Sequence, residues 1–124
     1  MAPLILAGTE DTLEVSFDPT NGKLLIAGTS MPENARKFFD QILAWVADYV
    51  TSPCKNTTIS FKLNYFNTAS TKYLFDIMVL TKQIMKDGNT LVYNWYFDKD
   101  DDDMYEAGVG FSKMLRYPFN FVNY

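Results

Sequence analysis

Residues 58–80 read TISFKLNYFNTASTKYLFDIMVL. The first nine alternate apolar Ile59, Phe61, Leu63 and Tyr65 with Ser60, Lys62 and Asn64, the period of two expected of a strand with one strongly apolar face. Beyond the polar junction the period lengthens. Leu74, Ile77, Met78, Thr81, Ile84 and Met85 recur at helical spacing, and Gly88 is the residue type that closes helices. A strand therefore runs through a short junction, FNTASTK (66–72), into an amphipathic helix.

The same alternation extends in both directions. Upstream, TLEVSFD (12–18) and KLLIAGT (23–29) are extended-type runs around PTNG, whose Pro19, Asn21 and Gly22 supply turn chemistry, so they should pair as a hairpin. From Pro32, the residues Phe38, Phe39, Ile42, Leu43, Trp45, Val46, Tyr49 and Val50 recur helically; Ser30 or Pro32-Glu33 offers a start, and Pro53 ends the helix at the latest. Downstream, TLVYNWYF (90–97) is a long strand, residues 101–115 make a weaker helix and FNFVN (119–123) a short final strand. Strands alternating with helices at these lengths imply parallel pairing through right-handed crossovers. The expected fold class is α/β: one domain over residues 1–124, a mixed sheet in the order β-β-α-β-α-β-α-β, with an antiparallel hairpin at the front followed by parallel crossovers.

Composition narrows the chemistry. A chain of 124 residues, 48% of them apolar, can bury one core. Its net charge is −4, with 11 Lys and Arg scattered along it, so no basic patch exists to hold a phosphate backbone and nucleic acid is not an expected partner. Apolar runs are broken well before the roughly 20 residues needed to cross a bilayer, and the first residues do not resemble an export signal, so a cytoplasmic protein without membrane insertion is expected. Cys54 is the only cysteine, which fits a reducing compartment and leaves no Cys-based metal cluster. Asn56-Thr57-Thr58 matches a glycosylation acceptor by chance in such a chain. Histidine is absent, which removes histidine phosphotransfer, Ser-His and Cys-His nucleophile pairs, and imidazole acid–base chemistry. The glycines form neither a phosphate-cradling loop nor a dinucleotide fingerprint, and no cofactor is expected.

Two polar constellations remain. The run DKDDDD (98–103) offers carboxylates, but a calcium loop starting at Asp98 would need Gly at position 103 and Glu at position 109, where Asp103 and Val109 stand. The better reading is charge at a helix N-terminus, with no metal; a carboxylate pair for acid–base catalysis, drawn from these residues and Glu106, is not singled out by spacing. The junction is more specific. Asn67, Thr68 and Ser70 can each accept a hydrogen bond from the free N–H groups of a helix start. Alternatively, one hydroxyl among Thr68, Ser70 and Thr71 is phosphorylated, a modification that a helix N-terminus accommodates. At 100° per residue, Phe75 and Val79 point away from the Leu74 stripe, alongside Lys72, Lys82 and Lys86 and close to Thr68. Two outcomes are open there: Phe75 and Val79 pack beneath a neighbouring helix, or with Lys82 they form an apolar and basic partner-binding face.

LNYFNTASTK (63–72) resembles the L-x-Y-x-N-T-S-S-x-K signature of the bacterial SiaC family, biofilm-regulating phosphoproteins of the anti-anti-sigma-factor, STAS-like type. GTEDTLEVSFDPTNGKLLIAGTSMPENARKFF (8–39) is similar to the family's front hairpin and GxSxPEN segment, NWYFDKDDDDMYEAG (94–108) to its W-x-Y-x-x-D-D-x-D-M stretch, and YPFNF (117–121) to its ending. Ala69 replaces a motif serine, and Val109-Gly110 stand where the family carries an acidic pair; Gly108 and Gly110 should also loosen that helix. The resemblance implies a STAS-like fold and a non-enzymatic phospho-switch in cyclic-di-GMP signalling. Thr68 would be phosphorylated by a serine/threonine-type protein kinase and reset by a PP2C-like phosphatase, with the unphosphorylated form binding a diguanylate cyclase. Asn67, Ser70, Thr71 and Lys72 would shape the site. The alternatives are a constitutive binding module in which Thr68 only caps the helix, and a small carboxylate-based enzyme.

Overall fold

The computed structural model describes residues 1–124. Six strands form one sheet: β1 (Leu4–Leu6), β2 (Glu14–Asp18), β3 (Lys23–Ser30), β4 (Asn56–Phe66), β5 (Thr90–Phe97) and β6 (Asn120–Asn123). They lie in sequence order across the sheet, β1 to β3 antiparallel and β3 to β6 parallel. The crossovers carry helices α1 (Ala35–Tyr49), α2 (Thr68–Lys82) and α3 (Asp102–Leu115). Each right-handed crossover steps the same way along the sheet, so all three helices fall on one face.

Strand alternation follows from that layering. Val15, Phe17, Leu24, Ile26, Ile59, Phe61, Leu63, Leu91, Tyr93 and Trp95 are buried beneath the helices. Their neighbours Ser16, Leu25, Ser60, Lys62 and Asn94 turn to the uncovered face. On that face Lys62 Nζ lies 4.7 Å from the Tyr124 ring centroid. Trp95 is fully buried, donates its indole N–H to the Met104 carbonyl at 2.9 Å, and contacts Phe61, Phe111 and Phe119.

Three expectations need correction. The N-terminal strand β1 is additional: its three residues are too short for a periodic signal, and pairing with β2 through Leu4–Phe17 and Leu6–Val15 defines it. Tyr65 does not continue the apolar face of β4. Register along β3 and β4 shifts at Gly28/Thr29, where Gly28 pairs with Leu63 but Thr29 pairs with Tyr65. One extra residue in β4 reverses every side chain after it; Tyr65 is 51% exposed, and Phe66 turns inward onto Phe111. Gly108, expected only to loosen α3, also seats it. A Cβ there would stand 2.5 Å from Cδ1 and Nε1 of Trp95, whereas one at Gly110 would meet nothing within 4 Å.

The other helix boundaries lie close to the periodicity, with one start moved. The α1 N-cap is Asn34, whose side chain accepts from the Lys37 N–H, rather than Ser30 or Pro32-Glu33. After Lys82 the chain tightens into a 3-10 turn over Gln83–Asp87, and Gly88 closes it at φ 80°, the left-handed conformation that its missing Cβ permits.

Candidate functional site

Strands β3 and β4 run parallel and end side by side, Ser30 opposite Phe66, so the loops leaving them meet at one edge of the sheet. There the chain turns into α2 through Asn67, whose extended backbone (φ −84°, ψ 171°) and side-chain oxygen make it the N-cap. Asn67 Oδ1 accepts the Ser70 N–H at 3.0 Å and lies 2.7 Å from Ser70 Oγ. The Asn67 N–H donates to the Ser30 carbonyl at 3.0 Å. Ser30 Oγ and Ser70 Oγ are 2.7 Å apart, and both serines are wholly buried.

Proton inventory orders this network. Asn67 Oδ1 only accepts and Ser70 has a single O–H. With that proton given to Asn67, the Ser30 hydroxyl donates to Ser70 Oγ. Buried oxygens are thus satisfied along a chain running Ser30 to Ser70 to Asn67, as burial demands.

Thr68, the first residue of α2, takes no part. It is exposed, and its hydroxyl makes no hydrogen bond within the chain. Ala69 beside it is also exposed, and Thr71 is half-buried with its hydroxyl 3.5 Å from the Asn67 carbonyl. Exposed Lys72 pairs with Asp76 one turn on, at 3.5 Å. The junction therefore divides its polar residues: Asn67 caps, Ser70 is locked inside, and Thr68 faces solvent. Sequence reasoning named Ser30 only as a possible start of α1 and missed its contact with Ser70, 40 residues later.

The second face of α2 is largely covered by α3. Phe75 is half-buried and stacks on Phe111 with ring centroids 6.4 Å apart. Lys82 Nζ donates to the Leu115 carbonyl at 2.8 Å, satisfying the C-terminal end of α3. Of the three residues expected as a partner face, only Val79, 45% exposed, stands free. Angular position on a helix gives a side chain's direction but not what lies along it, and here the neighbouring helix does.

The acidic run opens α3. Asp101 is its N-cap, accepting the Met104 N–H at 3.0 Å, and Asp102 and Asp103 occupy the first turn. Asp98 Oδ1 accepts the Asp100 N–H at 2.8 Å. A shallow groove of about 240 Å³ separates this helix start from the end of β4, lined by Tyr65, Phe66, Asp101, Asp103, Met104 and Ala107. The carboxylates stay spread along the turn, and no three His, Cys, Asp or Glu side chains converge as a metal-ligand set. No helix is long and apolar enough to cross a membrane.

Residues 6–124 match the SiaC family of regulatory phosphoproteins. An uncharacterized protein of Pseudomonas aeruginosa strain UCBPP-PA14 is 28% identical over 119 residues, covering 96% of this chain and 94% of its own. The crystal structure of apo-SiaC from P. aeruginosa superposes with a TM-score of 0.86 at 27% identity, over 99% of this chain and 98% of that one. SiaC in the crystal structure of the diguanylate cyclase SiaD bound to its activator SiaC, also from P. aeruginosa, superposes with a TM-score of 0.89 at 26% identity, over 98% and 99%. With strands β2 to β6, all three helices and the junction motif inside the matched region, this chain belongs to the SiaC family of regulatory phosphoproteins.

Proposed function

We propose that this protein is a cytoplasmic, non-enzymatic switch whose unphosphorylated form binds and regulates a diguanylate cyclase. A serine/threonine-type kinase phosphorylates Thr68, and a PP2C-like phosphatase resets it. The observation that carries this reading is the exposed, unbonded hydroxyl of Thr68 on a helix capped by a different residue. Modifying Thr68 breaks no native hydrogen bond. The first N–H groups of a helix lack intrahelical partners and its dipole favours an anion, so the fold tolerates a phosphate there while the surface gains up to about two negative charges. The relative seen bound to a diguanylate cyclase supports the partner class. Asn67 holds the cap position, so the capping role that the constitutive-module alternative gives Thr68 has no support in the geometry.

The test is a pair of binding isotherms against the cognate cyclase. Unmodified protein should bind, and stoichiometrically phosphorylated protein should bind at least about tenfold more weakly, the change expected when a desolvated contact acquires unpaired charge. Thr68→Ala should bind like the unmodified form and accept no phosphate at position 68. Equal affinities for the two forms, with no kinase-dependent mass shift at Thr68 in the host, would leave the residue without a regulatory role.

A further inference from the structure

We infer that Ser30 and Ser70 are positioning residues for the modification of Thr68: their buried hydroxyl pair locks the first turn of α2 to the end of β3, so that Thr68 alone is presented. This rests on the phospho-switch reading and adds what selects the acceptor within a cluster of hydroxyls.

Phosphoryl transfer from a nucleoside triphosphate forms a bond between the acceptor oxygen and the γ-phosphorus. It breaks the bond to the β-γ bridging oxygen, releases the diphosphate, and passes the hydroxyl proton to a base on the kinase. An acceptor oxygen must therefore reach the γ-phosphorus in line and have its proton free. Ser70 meets neither requirement. It is wholly buried, its proton is engaged with Asn67 Oδ1 at 2.7 Å, and its oxygen receives the Ser30 hydroxyl at 2.7 Å. Thr71 is half-buried behind the cap. Thr68 meets both, but only while α2 begins where it does.

That starting point is secured from outside the helix. The Ser30 carbonyl receives the Asn67 N–H, and the Ser30 hydroxyl holds the serine whose O–H and N–H both engage the cap. Without the Ser30–Ser70 hydroxyl contact, the Asn67 N–H still bonds the Ser30 carbonyl, but the buried Ser70 hydroxyl loses its side-chain partner on β3, and the helix can restart further along the hydroxyl cluster. Thr68 is then misplaced and Ser70 or Thr71 exposed. A displacement of about 1 Å at a reacting centre can cost on the order of 100-fold in rate.

The test uses the full chain with ATP and a cell extract of the native host, comparing wild type, Ser30→Ala, Ser70→Ala and the double variant below their melting temperatures, with site occupancy read by mass spectrometry. The Ser30→Ala protein should take up phosphate at Thr68 at least about tenfold more slowly, with part of the label moving to Ser70 or Thr71. In the double variant neither serine hydroxyl is left without its mate, so thermal stability should recover relative to the single variants while the Thr68 rate stays low. That split distinguishes positioning from a purely structural role. If Ser30→Ala does not fold, Ser30→Cys keeps the volume and a weak donor and should show a smaller slowing in the same direction. Wild-type rate and site in all folded variants would overturn the inference alone. No incorporation into wild type would overturn the phospho-switch reading and this inference with it.

Discussion

Helices α2 and α3 start alike and then diverge. Each begins with a non-helical residue whose side-chain oxygen accepts the N–H three positions on, Asn67 for α2 and Asp101 for α3. In α3 the cap is followed by Asp102 and Asp103, so the positive end of the helix dipole is already met by carboxylates. In α2 the first turn carries no acidic residue, and the position after the cap holds the free hydroxyl of Thr68. One helix start has permanent anions; the other, on the proposed reading, is where an anion is added and removed. The same backbone electrostatics thus serves stability in α3 and, on the proposed reading, regulation in α2.

The largest effect that would sharpen this contrast concerns how α3 is held. Gly108→Ala would drive a Cβ into the fully buried Trp95 ring, and such overpacking costs about 3 kcal/mol, offset by roughly 1 kcal/mol of helix propensity. Denaturant unfolding should show a net loss of about 2 kcal/mol, while Gly110→Ala, with open space around it, should gain up to about 1 kcal/mol. Equal behaviour at the two glycines would mean that α3 is not seated on the indole.

Next come the two caps. Asp101→Ala should cost about 1 kcal/mol, the usual value of a lost N-cap. Asn67→Ala should cost closer to 2 kcal/mol, because it also strips the acceptor from the buried Ser70 hydroxyl. A smaller loss at Asn67 than at Asp101 would break the claim that the α2 cap belongs to a buried network.

Charge effects should be smaller. Phosphorylating Thr68 should raise thermal stability by about 0.3–1 kcal/mol at low salt, and replacing Asp102 and Asp103 with Asn should lower it by a similar amount per residue. Both changes should shrink as salt is added. Smallest of all is Thr68→Ala in the unmodified protein, expected within about 0.5 kcal/mol of wild type, since an exposed, unbonded hydroxyl contributes little. A loss near 1 kcal/mol in chemical denaturation would assign capping to Thr68 after all.

Much of this molecule was legible without coordinates, for a local reason. Strands β2 to β6, the three helices, the front hairpin and the closing Gly88 all follow from periods of 2 and 3.6 residues and from turn chemistry, which neighbouring residues set among themselves. Helical placement of the acidic run followed from the same rules. The junction motif in residues 63–72 pointed to the family, and Thr68 was named within it.

What tertiary structure alone decided depends on residues far apart in the chain. Whether Asn67, Thr68 or Ser70 caps α2 turned on Ser30, 40 positions earlier, because burying Ser70 requires a partner from another strand. Phe75 was assigned to core or surface only when Phe111 arrived above it, and Lys82 to α3 only through the Leu115 carbonyl. The exposure of Tyr65 came from a bulge measured against β3, invisible in the alternation of β4 by itself. Sequence patterns report which side of an element a residue occupies. Long-range packing settles what stands on that side, because burial and hydrogen-bond satisfaction are properties of the assembled fold.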